Sequence, residues 1–236
     1  MAIDSLVRAF HRRFLMPSFR YSRPYSIAQK FFGYNDRENV MRIAIEFAMY
    51  SHLEGDYLEF GVYEGNSFTS AYHLAQRNRL KDMRFYAFDS FSGLPSVDNK
   101  KEAVQFTHGE FACTESKFRE VLASRGVDLN KVTTVPGFYD QSLNEETKKE
   151  LPIRSAAVIW IDCDLYSSTV PVLDFITDYI QDGTVLLFDD YFCFRGRPDE
   201  GEQRALSEWL QRNPSISVSE FHKFGWHGNS FIVHKS

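Results

Sequence analysis

Tyr57-Leu58-Glu59-Phe60-Gly61-Val62-Tyr63-Glu64-Gly65 is an apolar run that ends in a glycine-bearing turn. Asp56 to Phe60 reads as a short buried strand, and Ser67 to Gln76, beyond the turn, reads as a helix. A strand, a tight turn and a helix in this order put free backbone amides and the positive helix end beside a ligand, which is how nucleotide-like cofactors are held at the carboxyl edge of a parallel sheet. Gly61 and Gly65 let the backbone come close to such a ligand, and Asn66 and Ser67 stand where a helix is capped. The turn is Glu-x-Gly-x-x-x-Gly rather than the Gly-x-Gly-x-x-Gly that suits a pyrophosphate. Glu59 therefore brings a carboxylate towards the ligand, which favours a cationic one.

Outward from this turn the same alternation continues. Val40, Ile43, Ala44, Phe47 and Ala48 recur at helical spacing between Asn39 and His52. Met83 to Phe88, Lys131 to Val135, Ala156 to Ile161 and Thr184 to Phe188 are further strands, each separated from the next by room for a helix. Glu202 to Leu210 is helical, and Ile216 to Phe221 with Ser230 to His234 forms a close terminal pair, expected antiparallel. The fold class is α/β: a Rossmann-like, mostly parallel sheet with helices on both faces. Ser90 to Thr114 is the longest stretch without a periodic pattern and the candidate functional loop.

Two more strand ends carry acids. Phe85-Tyr86-Ala87-Phe88 ends in Asp89, placed to accept hydrogen bonds from ribose hydroxyls or, more simply, to cap its turn. Trp160-Ile161-Asp162-Cys163-Asp164 and Leu187-Phe188-Asp189-Asp190 follow strands that would lie side by side, so four carboxylates crowd one region. Like charges packed together must protonate or draw in a cation, and a hard divalent ion with oxygen ligands, Mg²⁺ foremost, meets that need. The competing reading has Asp164 and Asp190 capping helices or turns.

Composition sets the bounds. The 236 residues are 43% hydrophobic and 16% aromatic, enough for one α/β core with a short N-terminal appendage. Twenty-seven basic against thirty-two acidic residues leave a net charge of −5, which argues against a nucleic-acid partner. Cys113, Cys163 and Cys193 suit neither a disulfide framework nor a zinc site. With no apolar run long enough to span a bilayer and no signal-peptide core, the chain is expected to be soluble and cytoplasmic, without stable membrane insertion. Residues 1–35 differ: Arg8, Arg12, Arg13, Arg20, Arg23 and Lys30 face the single acid Asp4 among the first thirty. They read as a basic arm or lid that packs on a neighbouring subunit in a homodimer or larger assembly, with a targeting peptide or membrane-surface helix as alternatives.

Taken together, Glu59 to Gly65, Asp89-Ser90-Phe91-Ser92-Gly93-Leu94-Pro95, Val135-Pro136-Gly137-Phe138-Tyr139, Asp162-Cys163-Asp164-Leu165-Tyr166-Ser167-Ser168-Thr169 and Asp189-Asp190-Tyr191 resemble the successive motifs of the macrocin O-methyltransferase family. The resemblance runs from about Arg37 to Ser236, within a domain over residues 36–236. It implies a class I, S-adenosylmethionine-dependent enzyme on a seven-stranded sheet whose last strand is antiparallel. It further implies that the turn from Glu59 through Phe60, Gly61, Tyr63, Gly65, Asn66 and Ser67 holds the methionine part of the cofactor. Asp89, with Ser90 and Phe91, would hold the ribose, and Gly137, Phe138 and Tyr139 would lie near the adenine. Asp162 or Asp164, with Asp189 and Asp190, would match a metal site. Glu64 departs from many relatives, and Asn99 to Glu115 matches no motif.

The chemistry so implied is transfer of a methyl group to a hydroxyl of a small molecule, a natural-product sugar or another diol or phenol. It needs in-line orientation and one base. Asp162 and Asp164 are the first candidates for that base, and His108, in the candidate loop, the second. Tyr63, Phe91, Phe106, Phe111, Phe138, Tyr166, Tyr191, Phe192 and Phe194 cluster near the strand ends, some to line an acceptor pocket and most to fill the core. Two other classes compete. A nicotinamide-dependent oxidoreductase shares the topology but needs the missing glycine pattern, and a non-catalytic relative of the fold would be expected to lose the acids that this chain keeps.

Overall fold

The computed structural model of the chain describes residues 36–96 and 102–235. The basic arm over 1–35 and residues 97–101 of the candidate loop lie outside the described residues. Helix α1 (Asp36–Tyr50) leads to β1 (Asp56–Phe60), α2 (Asn66–Arg77) to β2 (Phe85–Asp89), and α3 (Glu115–Ser124) to β3 (Val132–Pro136). Two short helices, α4 (Tyr139–Ser142) and α5 (Glu145–Glu150), precede β4 (Ala156–Ile161), and α6 (Tyr166–Ile176) precedes β5 (Ile180–Phe188). Helix α7 (Gly201–Arg212) and the pair β6 (Ile216–Glu220) and β7 (Asn229–Lys235) follow.

The seven strands bond in the order β3-β2-β1-β4-β5-β7-β6. Strands β1 to β5 run parallel, and β7 is antiparallel to both neighbours, as expected of a tight terminal pair. From β1 the chain moves outward to β2 and β3, then returns to lay β4 against the other side of β1. The crevice at the carboxyl ends of β1 and β4 is therefore the topological switch point, the place where such sheets bind ligands.

Alternation along the strands builds two apolar layers. Tyr57, Phe85, Ala87, Trp160 and Leu187 face one way, where they meet α1 and α2 and, through Phe118, α3. Leu58, Phe60, Tyr86, Phe88, Ile159, Ile161 and Phe188 face the other, where they meet Leu173 and Phe175 of α6 and Ala205, Leu206 and Trp209 of α7. The rings interlock as well as fill space: Phe60 stacks on Phe88 with centroids 4.4 Å apart, and Phe175 meets the latter edge-on at 5.5 Å. Burial of each such ring stabilises the fold by roughly 1.5–3 kcal/mol.

Local side-chain caps start two of the helices. Thr114 caps α3 by accepting from the Lys117 N–H, and Asn144 caps α5 by accepting from the amides of Glu146 and Thr147. The start of α2 corrects the sequence reading. Gly65, at φ 71°, occupies the cap position without a side-chain bond, and Asn66 and Ser67 are already helical. Ser67, already one residue inside the helix, instead donates its hydroxyl to Glu59 Oε1 at 2.6 Å.

Candidate active site

A cavity of about 720 Å³ opens at the switch point, lined by the ends of β1, β2, β3 and β4, the first turns of α1 and α2, and the loop around Phe106 to Phe111. Its β1 wall is the glycine turn. Gly61, at φ 87°, donates to the Phe88 carbonyl, while the Asp162 N–H donates to the Phe60 carbonyl, so β1 stays laced to both neighbours at its very end. Tyr63, Asn66 and Ser67 line the cavity as the sequence suggests, whereas Glu59, Phe60 and Gly65 stand behind the lining.

Glu59 is fully buried, on the face of β1 opposite Phe60, and accepts from the Tyr57 and Ser67 hydroxyls. Its link to the cavity runs through Ser67, so it supports the turn from behind. Burial is the main cause that raises the Glu59 carboxyl to about 8, against the lowering effect of Ser67, Tyr57 and Arg37. Between the ordinary carboxylate range and pH 8 the folded chain thus holds a proton that the unfolded chain has lost, and its stability falls as pH rises, by about 1.4 kcal/mol per unit. Glu59→Gln keeps an oxygen that accepts from one hydroxyl and an amide that can donate to the other, as a protonated carboxyl would, and removes the titration. Urea unfolding from pH 5 to 8 is expected to lose that slope in the variant, and an unchanged slope refutes the buried-acid reading.

Asp89 closes the next wall. Its Oδ2 accepts from the Val62 and Tyr63 amides at 2.8 and 3.3 Å, and Oδ1 accepts from the Phe91 amide at 2.7 Å. The carboxylate both ties β2 to the glycine turn and faces the cavity beside Ser90. Phe91 turns away into the core against Phe118. From β3, Gly137 donates to the Asp89 carbonyl, and Phe138 and Tyr139 line the wall, the latter donating its hydroxyl to the Phe88 carbonyl at 3.2 Å.

The acids gather at the ends of β4 and β5. Ligand oxygens of Asp162, Asp164 and Asp190 lie within 4.8 Å of one another, and Asp189, Asp190 and His227 form a second such group. Asp164 holds a left-handed backbone at φ 60°, uncommon for a residue with a Cβ and an arrangement that concentrates at functional sites. Burial, then mutual repulsion, pushes Asp162 and Asp164 well above the carboxylate range; Asp189 rises to about 7, from burial and Asp190, opposed by Arg37. Asp189 Oδ1 and Asp190 Oδ2 are buried and have no hydrogen-bond partner among the described residues. Unsatisfied buried oxygens among hard donors are what a divalent cation would complete, so the residues present fit an ion such as Mg²⁺.

Several participants carry no motif. Arg37, in the first turn of α1, donates to Asp189 Oδ2. His227 donates from Nδ1 to the Asp189 carbonyl at 2.6 Å. Glu202 is buried and accepts from the Asp190 N–H at 3.0 Å, which fixes the backbone of the ligand group from behind. A signal for Glu202 existed: it shares a helix face with Ala205, Leu206 and Trp209, all buried. Helix α6 has no cap of its own, and Glu102, from the candidate loop, supplies one by accepting from the Tyr166 N–H at 3.0 Å. His108 is exposed and is not among the residues lining the cavity, and His222 is exposed too. Of the expected ring wall, Tyr63, Phe106, Phe111 and Phe138 line the cavity, Phe194 packs on Phe106, and Tyr191 packs into the core on Phe188 and Phe231.

The family profile of macrocin-O-methyltransferase (TylF) matches residues 22–203. This chain belongs to the macrocin O-methyltransferase family. Demethyldecarbamoylnovobiocin O-methyltransferase of Streptomyces niveus is 25% identical over 170 residues, 70% of this chain and 63% of that protein. Mycinamicin III 3''-O-methyltransferase of Micromonospora griseorubida is 24% identical over 163 residues, 66% of this chain and 62% of that protein. The matches thus span less than two thirds of the relatives' own length. Among solved structures, the O-methyltransferase NovP superposes with a TM-score of 0.73 at 21% identity, covering 85% of this chain and 80% of that one. The calicheamicin methyltransferase CalS11 gives 0.69 at 18% identity, covering 98% and 91%. These likenesses establish the macrocin family's class I methyltransferase fold for this chain. Among the described residues no helix is long and apolar enough to cross a membrane.

Proposed function

We propose that this chain is an S-adenosylmethionine-dependent, divalent-cation-assisted O-methyltransferase that acts on a hydroxyl of a small molecule, a natural-product sugar or another diol or phenol. The observation that carries the reading is a single cavity bounded on one side by the glycine turn, Asp89 and Phe138 and on the other by Asp162, Asp164 and Asp190. A cofactor site and an acidic site that share one chamber suit group transfer between two bound molecules.

Gly61, Tyr63, Asn66 and Ser67 would hold the methionine end of the cofactor, Asp89 and Ser90 the ribose, and Gly137, Phe138 and Tyr139 the adenine. The cofactor supplies a methyl group on a sulfonium. Asp162 and Asp190 from the cavity, with Asp189 behind them, would hold the cation, which lowers the pKa of a hydroxyl brought to it. With the cation in place Asp162 or Asp164 would be held ionised and would take the hydroxyl proton as the oxygen gains the methyl group and the sulfonium leaves as a neutral thioether, while the ring wall of Tyr63, Phe106 and Phe111 would shield the transfer from water. The retained acids favour an enzyme over a non-catalytic relative, and Glu-x-Gly-x-x-x-Gly disfavours a nicotinamide cofactor. Cytoplasmic residence and homo-oligomeric assembly belong to the same proposal, supported by three free buried cysteines and by the exposed rings of Tyr50 and Trp226.

Calorimetric titration with S-adenosylhomocysteine, with and without Mg²⁺, tests the reading: binding is expected in both, and its absence from both rejects it. Asp89→Ala is expected to weaken that binding by about 1–3 kcal/mol, the scale of hydrogen bonds lost from a charged group. An unaltered dissociation constant would remove Asp89 from the cofactor site.

A further inference from the structure

Arg37 is the basic side chain lining the cavity among the described residues, and it reaches the acids from the ligand side. Its Nη2 donates to Asp189 Oδ2, and its charge acts on Asp162, Asp189 and Asp190 together. The two partners are held differently. The Asp189 side chain has no exposed area, its N–H donates to the Ile161 carbonyl at 2.9 Å, and its own carbonyl accepts from His227. The Arg37 side chain is 45% exposed and stands in the first turn of its helix, with a path to solvent.

We propose that Arg37 is the resident counter-ion of the acidic group in its metal-free form, and that it competes with a divalent cation for the Asp189 carboxylate. The inference rests on the divalent-cation reading above. Carboxylates buried together need a counter-charge at all times, or they must protonate. A guanidinium on a long, half-exposed stem supplies one that can leave without opening the core, whereas the acids themselves cannot move. A bound cation beside the same oxygens repels the guanidinium, so loading is coupled to release of Arg37 towards solvent. Affinity for the cation is then the difference between two states, and Arg37 holds it down. The guanidinium also stands on the cavity side, so a hydroxyl acceptor meets the acids freely only after the exchange.

The test uses the full chain as wild type, Arg37→Met and Arg37→Gln, the last keeping a donor without the charge. Free Mn²⁺ is followed by electron paramagnetic resonance during titration, and unfolding is followed thermally with and without saturating Mn²⁺. Both neutral variants are expected to bind Mn²⁺ about tenfold more tightly than wild type, within the usual range of coupling between sites. They are also expected to melt below wild type without metal and level with it when saturated, a crossover that a purely structural ion pair would not produce. Weaker Mn²⁺ binding in the variants overturns the proposal and makes Arg37 a clamp that orients Asp189, and equal binding overturns it too. Failure of every protein to bind Mn²⁺, while S-adenosylhomocysteine still binds, removes the cation reading and this proposal with it.

Discussion

Asp190→Asn is expected to abolish divalent-cation binding and to cut methyl transfer by about 10³-fold or more, while S-adenosylhomocysteine affinity stays within about twofold. Asp190 is the residue common to both groups of oxygen donors, so its loss leaves neither group complete. The substitution is nearly isosteric, and the backbone amide that Glu202 accepts from is retained, so the local chain path survives. What changes is the donor set: a carboxyl becomes an amide with one oxygen fewer, at a group whose Oδ2 is buried and has no hydrogen-bond partner among the described residues. The cofactor wall is built from β1, β2 and β3, on the other side of the cavity, which is why cofactor affinity is the control. Mn²⁺ titration, calorimetry with S-adenosylhomocysteine and turnover of any acceptor found by screening supply the three readouts. Full activity in EDTA, or full Mn²⁺ binding by the variant, sinks the assignment.

How far the site could be read in advance differs from element to element, for physical reasons. Strand β4 carries six consecutive buried residues between polar flanks, and Ala156 to Ile161 is legible to the residue. β5 begins four residues earlier than its apolar run, because Ile180 pairs with Ala156 and Thr184 bonds the same carbonyl across an irregular register. Glycines and acids at strand ends stand out in sequence because topology sends every parallel strand end to one edge. Arg37, Glu102, Glu202 and His227 reach that edge through tertiary packing from segments 12 to 152 residues away from the groups they touch. A first-turn arginine or a hairpin histidine has no local pattern that separates it from an exposed one. The same limit misplaced emphasis on His108, whose loop runs past the cavity while its imidazole faces solvent. Asn66 and Ser67 show the reverse case. Their capping chemistry is sound in isolation, but the left-handed turn at Gly65 starts the helix one residue earlier and leaves both inside it, where Ser67 is free to donate to buried Glu59.

Gly61→Ala is the second substitution with a large expected effect, because two independent penalties fall on one atom. The backbone there lies at φ 87°, where a residue with a Cβ is strained by about 1–2 kcal/mol. A Cβ would in addition fall inside the van der Waals shell of the Asp162 carbonyl oxygen, which is backbone and cannot swing aside. Relief requires the ends of β1 and β4 to part, and that breaks the bond from Asp162 to Phe60. The two walls of the cavity are joined at this point: the same displacement moves the glycine turn that faces the cofactor and the aspartate that heads the acidic group. The variant is therefore expected to lose about 3 kcal/mol of stability or more and to melt roughly 6–12 °C lower. S-adenosylhomocysteine affinity is expected to fall at least about 100-fold, with Mn²⁺ affinity falling alongside. Gly109→Ala serves as the comparison, since its φ of 75° carries the same kind of strain but nothing stands within 4 Å of the added Cβ. If the two variants bind ligand equally well, the close approach of β1 to β4 is not what shapes the site; if only Gly61→Ala loses both ligands together, that single backbone contact sets the geometry of cofactor and acids alike.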